Sequence, residues 1–410
     1  MSILVQKYGG TSVANIERIM NCAQKAVQEA NRGHQVVVAV SAMAGETDRL
    51  LSLANEIDPA SSPRERDVLA SAGEQVSIAL LSMAIEKQGM PAISFTAPQV
   101  EILTDSAHTK AKIRSINDAN IRRALDEGKI VVVAGFQGIT ETREITTFGR
   151  GGSDTTAVAL AAVLEAERCD IYTDVDGVYA ADPRIVPRIR KIPQLSYEEM
   201  LEMASTGAKV LHTRSVQFAA KYNVPLQVRS SFVDKPGTII TQEVQAMEDV
   251  VVSAITHNTK EAKVTLSHIP DQPGTAAKVF KFLADRNINV DMIVQNAGEH
   301  GMADISFTVE RTDIPFIHKI EEELKQSVNA REVVYGERIA KISAIGVGMK
   351  SHSGVASRMF TTLAERGINI LMISTSEIKI SCVIDENYTE LAIRELCEAF
   401  NLEEADTSAE

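Results

Sequence analysis

A chain of 410 residues with 42 Lys plus Arg, 55 Asp plus Glu, a formal net charge of −13 and 44% hydrophobic residues can bury several cores. At roughly 100–200 residues per domain it holds two to four globular domains, and disordered, collagen-like and low-complexity readings are excluded. The negative charge repels phosphate backbones and no apolar run approaches the roughly 18–20 residues of a bilayer span, so neither nucleic acid nor membrane is an expected partner.

The opening MSILVQKYGG shows no basic n-region followed by a long h-region, which predicts an unsecreted protein. The four cysteines (Cys22, Cys169, Cys382, Cys397) show no CxxC spacing and the eight histidines no paired-ligand spacing, which predicts reduced thiols, no metal site and a cytoplasmic address. Up to Gln242, short β-branched runs alternate with Ala-rich helical patterns. Strands are predicted at Ile3–Gln6, Val36–Val40, Ala92–Phe95, Ile130–Ala134, Arg168–Thr173 and Pro225–Val228. Helices are predicted at Val13–Asn31, Asp67–Lys87, Asn117–Glu127, Thr155–Ala166, Tyr197–Ala204 and Val210–Tyr222. Near-continuous apolar strands between helices imply a mostly parallel central sheet covered on both faces, a three-layer α/β/α domain over 1–245.

Beyond a polar stretch a repeat begins. Gly274–Ile293 (GTAAKVFKFLADRNINVDMI) lies over Gly354–Ile373 (GVASRMFTTLAERGINILMI) at an offset of 80 residues with ten of twenty positions identical, among them Gly274/Gly354, Asn289/Asn369 and Met292/Met372. Two copies of one module follow, at 262–338 and 341–402, before an acidic tail at 403–410. Each reads strand, turn, helix, strand, strand, helix, the ferredoxin-like α+β pattern.

Neither GxxxxGK[ST] nor a GxGxxG after a strand occurs. Two other glycine sites suit an anion. Lys7-Tyr8-Gly9-Gly10-Thr11-Ser12 stands where the first strand gives way to a helix, so free N–H groups and a lysine charge converge there, although such a turn also occurs without a ligand. Gly149-Arg150-Gly151-Gly152-Ser153-Asp154 opens another helix. Ser153 and Asp154 are ordinary cap residues, yet a guanidinium among three glycines is shaped to grip a carboxylate. Two such sites at strand ends suggest an anionic donor meeting an anionic acceptor.

With these motifs, SAMAGETD at Ser41–Asp48, SAGE at Ser71–Glu74, YTDVDGVYAADPR at Tyr172–Arg184 and EEMLEMASTGAKVLHTRS at Glu198–Ser215, the chain resembles the aspartokinases of the amino acid kinase family over essentially its whole length. The paired modules resemble the two ACT domains of such enzymes. The resemblance implies transfer of the γ-phosphoryl group of Mg-ATP to the β-carboxylate of L-aspartate, with Mg held mainly by the phosphates and no tightly bound prosthetic group. The reading from another class is a catalytically inactive ACT-type amino-acid sensor.

The resemblance also implies roles. Lys7, Tyr8, Gly9 and Gly10 would hold phosphates, with Lys7 stabilising the transferred group and Ser41 beside it. Thr47, Gly151, Gly152 and Ser153 would position aspartate, Glu74 would take its ammonium and Arg150 its α-carboxylate. Asp154 would orient the lysines, and Thr173, Asp174, Tyr179, Arg184 and Lys209 would line the nucleotide site. Plainer readings stand beside these: Thr47 as a helix cap, Glu74 as a carboxylate at a helix start, Asp174 and Asp176 as a turn, Lys209 as a solvated lysine.

ACT modules imply lysine and threonine as effectors and a homo-oligomer or a regulatory subunit as partner. Candidate effector contacts are Asp271, Pro273, Gly274, Thr275, Asn289, Gln295 and Asn296 in the first copy and Asn369, Ser374 and Ser376 in the second. The second turn, Lys350–Gly354, has no acid matching Asp271, which predicts unequal sites. Met247 stands where some family members start a separate regulatory subunit.

Overall fold

The computed structural model describes residues 1–208, 210–242, 251–298 and 301–404, so Lys209 and Met247 lie outside the described residues. One unit comprises 1–178, 191–205 and 210–242; the other comprises 179–190, 206–208, 251–298 and 301–404.

The first unit is a sheet of eight strands: β1 (Ile3–Tyr8), β2 (Gln35–Val40), β3 (Ala92–Phe95), β4 (Ile130–Ala134), β5 (Arg168–Thr173), β6 (Gln194–Ser196), β7 (Leu226–Ser230) and β8 (Thr238–Thr241). Their order is β6-β8-β7-β5-β1-β2-β4-β3. All neighbours run parallel except β7 and β8. The helices are α1 (Ile16–Asn31), α2 (Glu46–Ile57), α3 (Pro63–Lys87), α4 (Ala119–Asp126), α5 (Gly152–Leu164), α6 (Tyr197–Ser205) and α7 (Thr213–Tyr222). Val36, Val38 and Val40 pack with α1 and α3 on one face, while Val37 and Ala39 are equally buried on the other, so β2 is apolar at every step as a doubly covered strand must be. Because β2 lies on one side of β1 and β5 on the other, the chain reverses direction across the sheet at β1, and a crevice opens at the strands' C-terminal ends.

Among the described residues one helix, α3, is long and apolar enough to cross a bilayer. It buries Asp67 and Glu74 against the rest of the unit, which marks it as a core helix.

The second unit holds β9 (Ala254–Asn258), β10 (Glu261–Pro270), α8 (Thr275–Ala284), β11 (Val290–Ala297), β12 (Met302–Glu310), α9 (Ile314–Lys319), α10 (Glu321–Val328), β13 (Glu332–Gly336), β14 (Ile339–Ile345), α11 (Val355–Glu365), β15 (Met372–Thr375), β16 (Lys379–Asp385) and α12 (Thr389–Ala399). Two four-stranded sheets form, β11-β12-β10-β13 and β9-β14-β16-β15. The repeat extends to backbone detail, since Gly274 and Gly354 cap α8 and α11 at φ 96° and 97°. One feature departs from the expected tandem. The edge strand of the second sheet is β9, which precedes the whole first module, so the first copy is inserted into the second. Met292 and Val294 of the first copy join Ile339, Met372 and Val383 of the second in one apolar cluster.

Candidate active site

Three strand ends of the first unit supply the site. Lys7 is the penultimate residue of β1, in register with Ala39 and Ile171, and its Nζ lies 2.6 Å from Asp154 Oδ1 with both side chains about one-eighth exposed (12% and 13%). Contrary to the expectation from sequence, the glycine turn does not lead directly into α1. Gly10–Val13 form a short 3-10 turn, and α1 starts only at Ile16, where the Asn15 side chain accepts the Arg18 N–H at 2.9 Å.

After β2 the chain turns through Ser41–Gly45 into α2. Gly45 caps that helix with φ 78°, so Thr47 sits in the first turn instead of capping it. Glu74 on α3 faces this turn. The Ala42 N–H donates to its Oε1 at 3.0 Å, while its buried Oε2 has no partner among the described residues. Burial pushes the Glu74 carboxyl up to about 8, with the Ala42 N–H pulling against that rise. Gly73 permits the approach, because a Cβ there would stand 2.7 Å from the Ala42 Cβ.

The second glycine loop closes the site. Gly151, at φ 71°, caps α5, which therefore begins at Gly152; Ser153 and Asp154 occupy its first turn and are not its caps. A Cβ on Gly151 would lie 2.4 Å from His212, so only glycine fits. Arg150 is exposed and pairs with no carboxylate among the described residues.

A cavity of about 380 Å³ is lined by Lys7, Gly9, Gly10, Ser41, Thr47, Glu74, Arg150, Gly151, Gly152, Ser153 and Asp154, together with Asp48 and Phe136 that sequence reasoning did not single out. Other expected residues lie elsewhere. The Tyr8 ring is fully buried and stacks on Tyr172 at 4.7 Å, so only its main chain is available to a ligand. Thr173 ends β5 and Asp174 follows it; the Thr173 hydroxyl donates to Asp174 at 3.1 Å, and neither residue lines the cavity. Tyr179 and Arg184 belong to the second unit, and Arg184 there binds Asp182 at 2.6 Å while 85% exposed.

In the first module, Asp271, Pro273 and Gly274 are exposed at the start of α8, with the Thr275 hydroxyl donating to Pro270 O at 2.9 Å. Asn296 pairs with Asp304, and the next register row runs from Ala297 through Ala303 to Ile269, so Gln295 and Asn296 end β11 beside that turn. Asn289 and Asn369 are exposed at equivalent points before β11 and β15. Ser374 pairs with Ser381, and the Ser376 N–H donates to Lys379 O at 2.8 Å.

The sequence pattern of the amino acid kinase family fits residues 2–230, and ACT domain patterns fit 264–329 and 342–400. An aspartokinase of Pseudomonas aeruginosa is 55% identical over 405 residues, 98% of each chain, and one of Geobacillus stearothermophilus is 50% identical over 404 residues, again 98% of each. E. coli aspartokinase III in complex with aspartate and ADP matches with a TM-score of 0.81 at 27% identity, covering 97% of this chain and 99% of that one. Its complex with lysine and aspartate gives 0.79 at 27% identity, over 98% and 100%. Fold and site thus define an amino acid kinase carrying two ACT domains. Within that class the chain belongs to the aspartokinase family.

Proposed function

We propose that this chain transfers the γ-phosphoryl group of Mg-ATP to the β-carboxylate of L-aspartate, giving 4-phospho-L-aspartate and ADP, the entry to lysine, threonine, methionine and isoleucine. The observation that carries this reading is one cavity presenting a buried Glu74 carboxylate oxygen and an Arg150 guanidinium, each unpartnered among the described residues, beside the Lys7–Asp154 pair. An amino acid needs an anion for its ammonium and a cation for its α-carboxylate, and a phosphoryl group in flight needs a second cation.

An aspartate carboxyl, with an ordinary pKa of about 3.9, is ionised at neutral pH, so the reaction needs no general base. The obstacle is repulsion between acceptor and γ-phosphate. Lys7, held by Asp154, offsets it where charge accumulates, and the backbone at Gly9 and Gly10 leaves room for phosphate oxygens. Ser41 and Thr47 border the acceptor. Thr173, Asp174, Tyr179, Arg184 and Lys209 are assigned to the nucleotide, and Tyr8 contributes its main chain. Mg²⁺ would enter with ATP, held mainly by the phosphates, and would supply counter-charge to the transferring group.

The 1–245 domain carries the chemistry in the cytoplasm. The two ACT modules sense lysine, threonine or both, and join copies of the chain or a regulatory subunit started at Met247. A catalytically inactive sensor would not keep Lys7, Glu74, Arg150 and Asp154 around one cavity. The test is ADP release with ATP, Mg²⁺ and aspartate, glutamate, acetylglutamate or UMP as acceptor. Release with aspartate alone supports the reading, and release with another acceptor and not aspartate overturns it.

A further inference from the structure

We infer that Asp67 and Arg214 are positioning residues for the acceptor, which preset the glycine loop carrying Arg150; the inference rests on the proposed role of Arg150. Asp67 lies on α3 with only 1% of its side chain exposed. Its carboxylate accepts the Thr109 N–H at 3.0 Å and the Thr147 hydroxyl at 2.6 Å, and His108 Nδ1 stands 2.8 Å away. Arg214 reaches the same two segments from α7. It donates to Phe148 O at 3.1 Å and to Ala111 O at 2.7 Å, with its guanidinium 5.7 Å from the Phe148 ring centroid. Between them the Ala111 N–H donates to Thr147 O at 2.9 Å.

The segment before Arg150 is therefore stitched to the 108–111 loop three times in succession: by an anion from one helix, by a backbone pair, and by a cation from another helix. The stitching stops at Phe148, two residues short of Arg150. Beyond it Gly149 and Gly151 both have positive φ, and such a loop does not hold a guanidinium in place unaided. Asp67 also precedes Glu74 by seven residues, two turns along the same face of α3. One helix thus sets Glu74 and anchors the approach to Arg150, fixing the spacing of the two groups assigned to the ammonium and α-carboxylate. Misplacement of about 1 Å in such an arrangement costs up to about 100-fold in rate.

The test uses the full chain, with KM for aspartate, KM for ATP, kcat and thermal midpoint measured for Asp67→Asn, Thr147→Val, Arg214→Lys and Arg150→Ala. Thr147→Val removes one hydroxyl and leaves both charges, so it serves if Asp67→Asn does not fold. The clamp variants should raise KM for aspartate about tenfold and KM for ATP less than about twofold. Added to Arg150→Ala, Thr147→Val should raise KM for aspartate by less than about twofold more, because the group it positions is gone. Equal rises in both KM values, or a full effect in the Arg150→Ala background, overturn the clamp. A raised KM for aspartate in Arg150→Ala but in none of the clamp variants overturns the clamp alone; an unchanged one in Arg150→Ala overturns the assignment of Arg150 itself.

Discussion

Lys341 on β14 and Glu261 on β10 are buried against each other, with Nζ 2.5 Å from Oε1 and side-chain exposures of 3% and 7%. Asp291 also contacts Lys341, and the Asn258 amide donates to Glu261 at 2.7 Å. The carboxylates come from β10 and β11 of the first copy and the lysine from β14 of the second, so the cluster ties the two copies together within a single chain.

Glu261→Gln removes half of this pair and should destabilise the modules by roughly 3–5 kcal/mol, read as a shift in urea midpoint; the exchange Glu261→Lys with Lys341→Glu should recover part of it. Burial alone would lower the Lys341 pKa, but Glu261 and Asp291 outweigh it and the net direction is up. A raised folded-state value means the stabilisation is complete below the ordinary lysine pKa of about 10.4 and lost as pH climbs through the folded value. Wild type and Glu261→Gln should therefore converge in thermal midpoint at strongly alkaline pH, and a constant gap would contradict the assignment.

Glu74 titrates in the opposite sense to a stabilising carboxylate. Its folded pKa of about 8 lies above the ordinary carboxyl value, so between the two the folded chain keeps a proton the unfolded chain has released, and stability falls as pH rises through that window. Glu74→Gln should melt higher than wild type at pH 8.5 without aspartate, with the gap closing toward pH 4. In kinetics, KM for aspartate should fall as pH rises toward 8 in wild type, because only the carboxylate pairs with an ammonium. The Glu74→Gln variant should show a raised, flat profile; a parallel slope in both would remove Glu74 from the substrate site.

Lys7→Ala should lower kcat about 100- to 1000-fold while changing KM for aspartate little, since its charge acts where the phosphoryl group moves. A loss confined to KM would make Lys7 a ground-state binder. The 2.6 Å pair makes Asp154→Asn the companion variant, with a smaller loss of the same kind.

The Asp271 carboxylate has no bonded partner among the described residues, while its main-chain N–H donates to Gly301 O at 2.8 Å. Asp271→Ala should raise the lysine or threonine concentration for half-inhibition about tenfold, the effect of losing about 1.4 kcal/mol at one charged contact. Inhibition at an unchanged concentration would move the effector site elsewhere.

Sequence and structure agree most closely where the local signal is self-contained. The strands Ala92–Phe95, Ile130–Ala134 and Arg168–Thr173 have the predicted bounds because polar or turn residues stand on both sides of each; Ile130–Ala134 is wholly apolar, while Arg168–Thr173 carries Arg168 and Asp170 within it. The small sheet of Leu103–Thr104, Ile113–Ser115, Gln137–Ile139 and Ile145–Thr147 escapes, since two or three residues show no period. The place of β9 escapes for another reason: nothing in a chain's order reveals that a strand pairs across an inserted module. At the site, Lys7 and Arg150 are legible as charges beside glycines. Asp67 is not, because its partners Thr109 and Thr147 stand 42 and 80 residues away.

The most direct measurement traps the product itself: the full chain is incubated with ATP, Mg²⁺, hydroxylamine and L-aspartate, and the hydroxamate is identified by mass. The account predicts aspartate β-hydroxamate in wild type, a trace in Lys7→Ala, and less when lysine and threonine are added. ADP formation without any aspartate hydroxamate would contradict it.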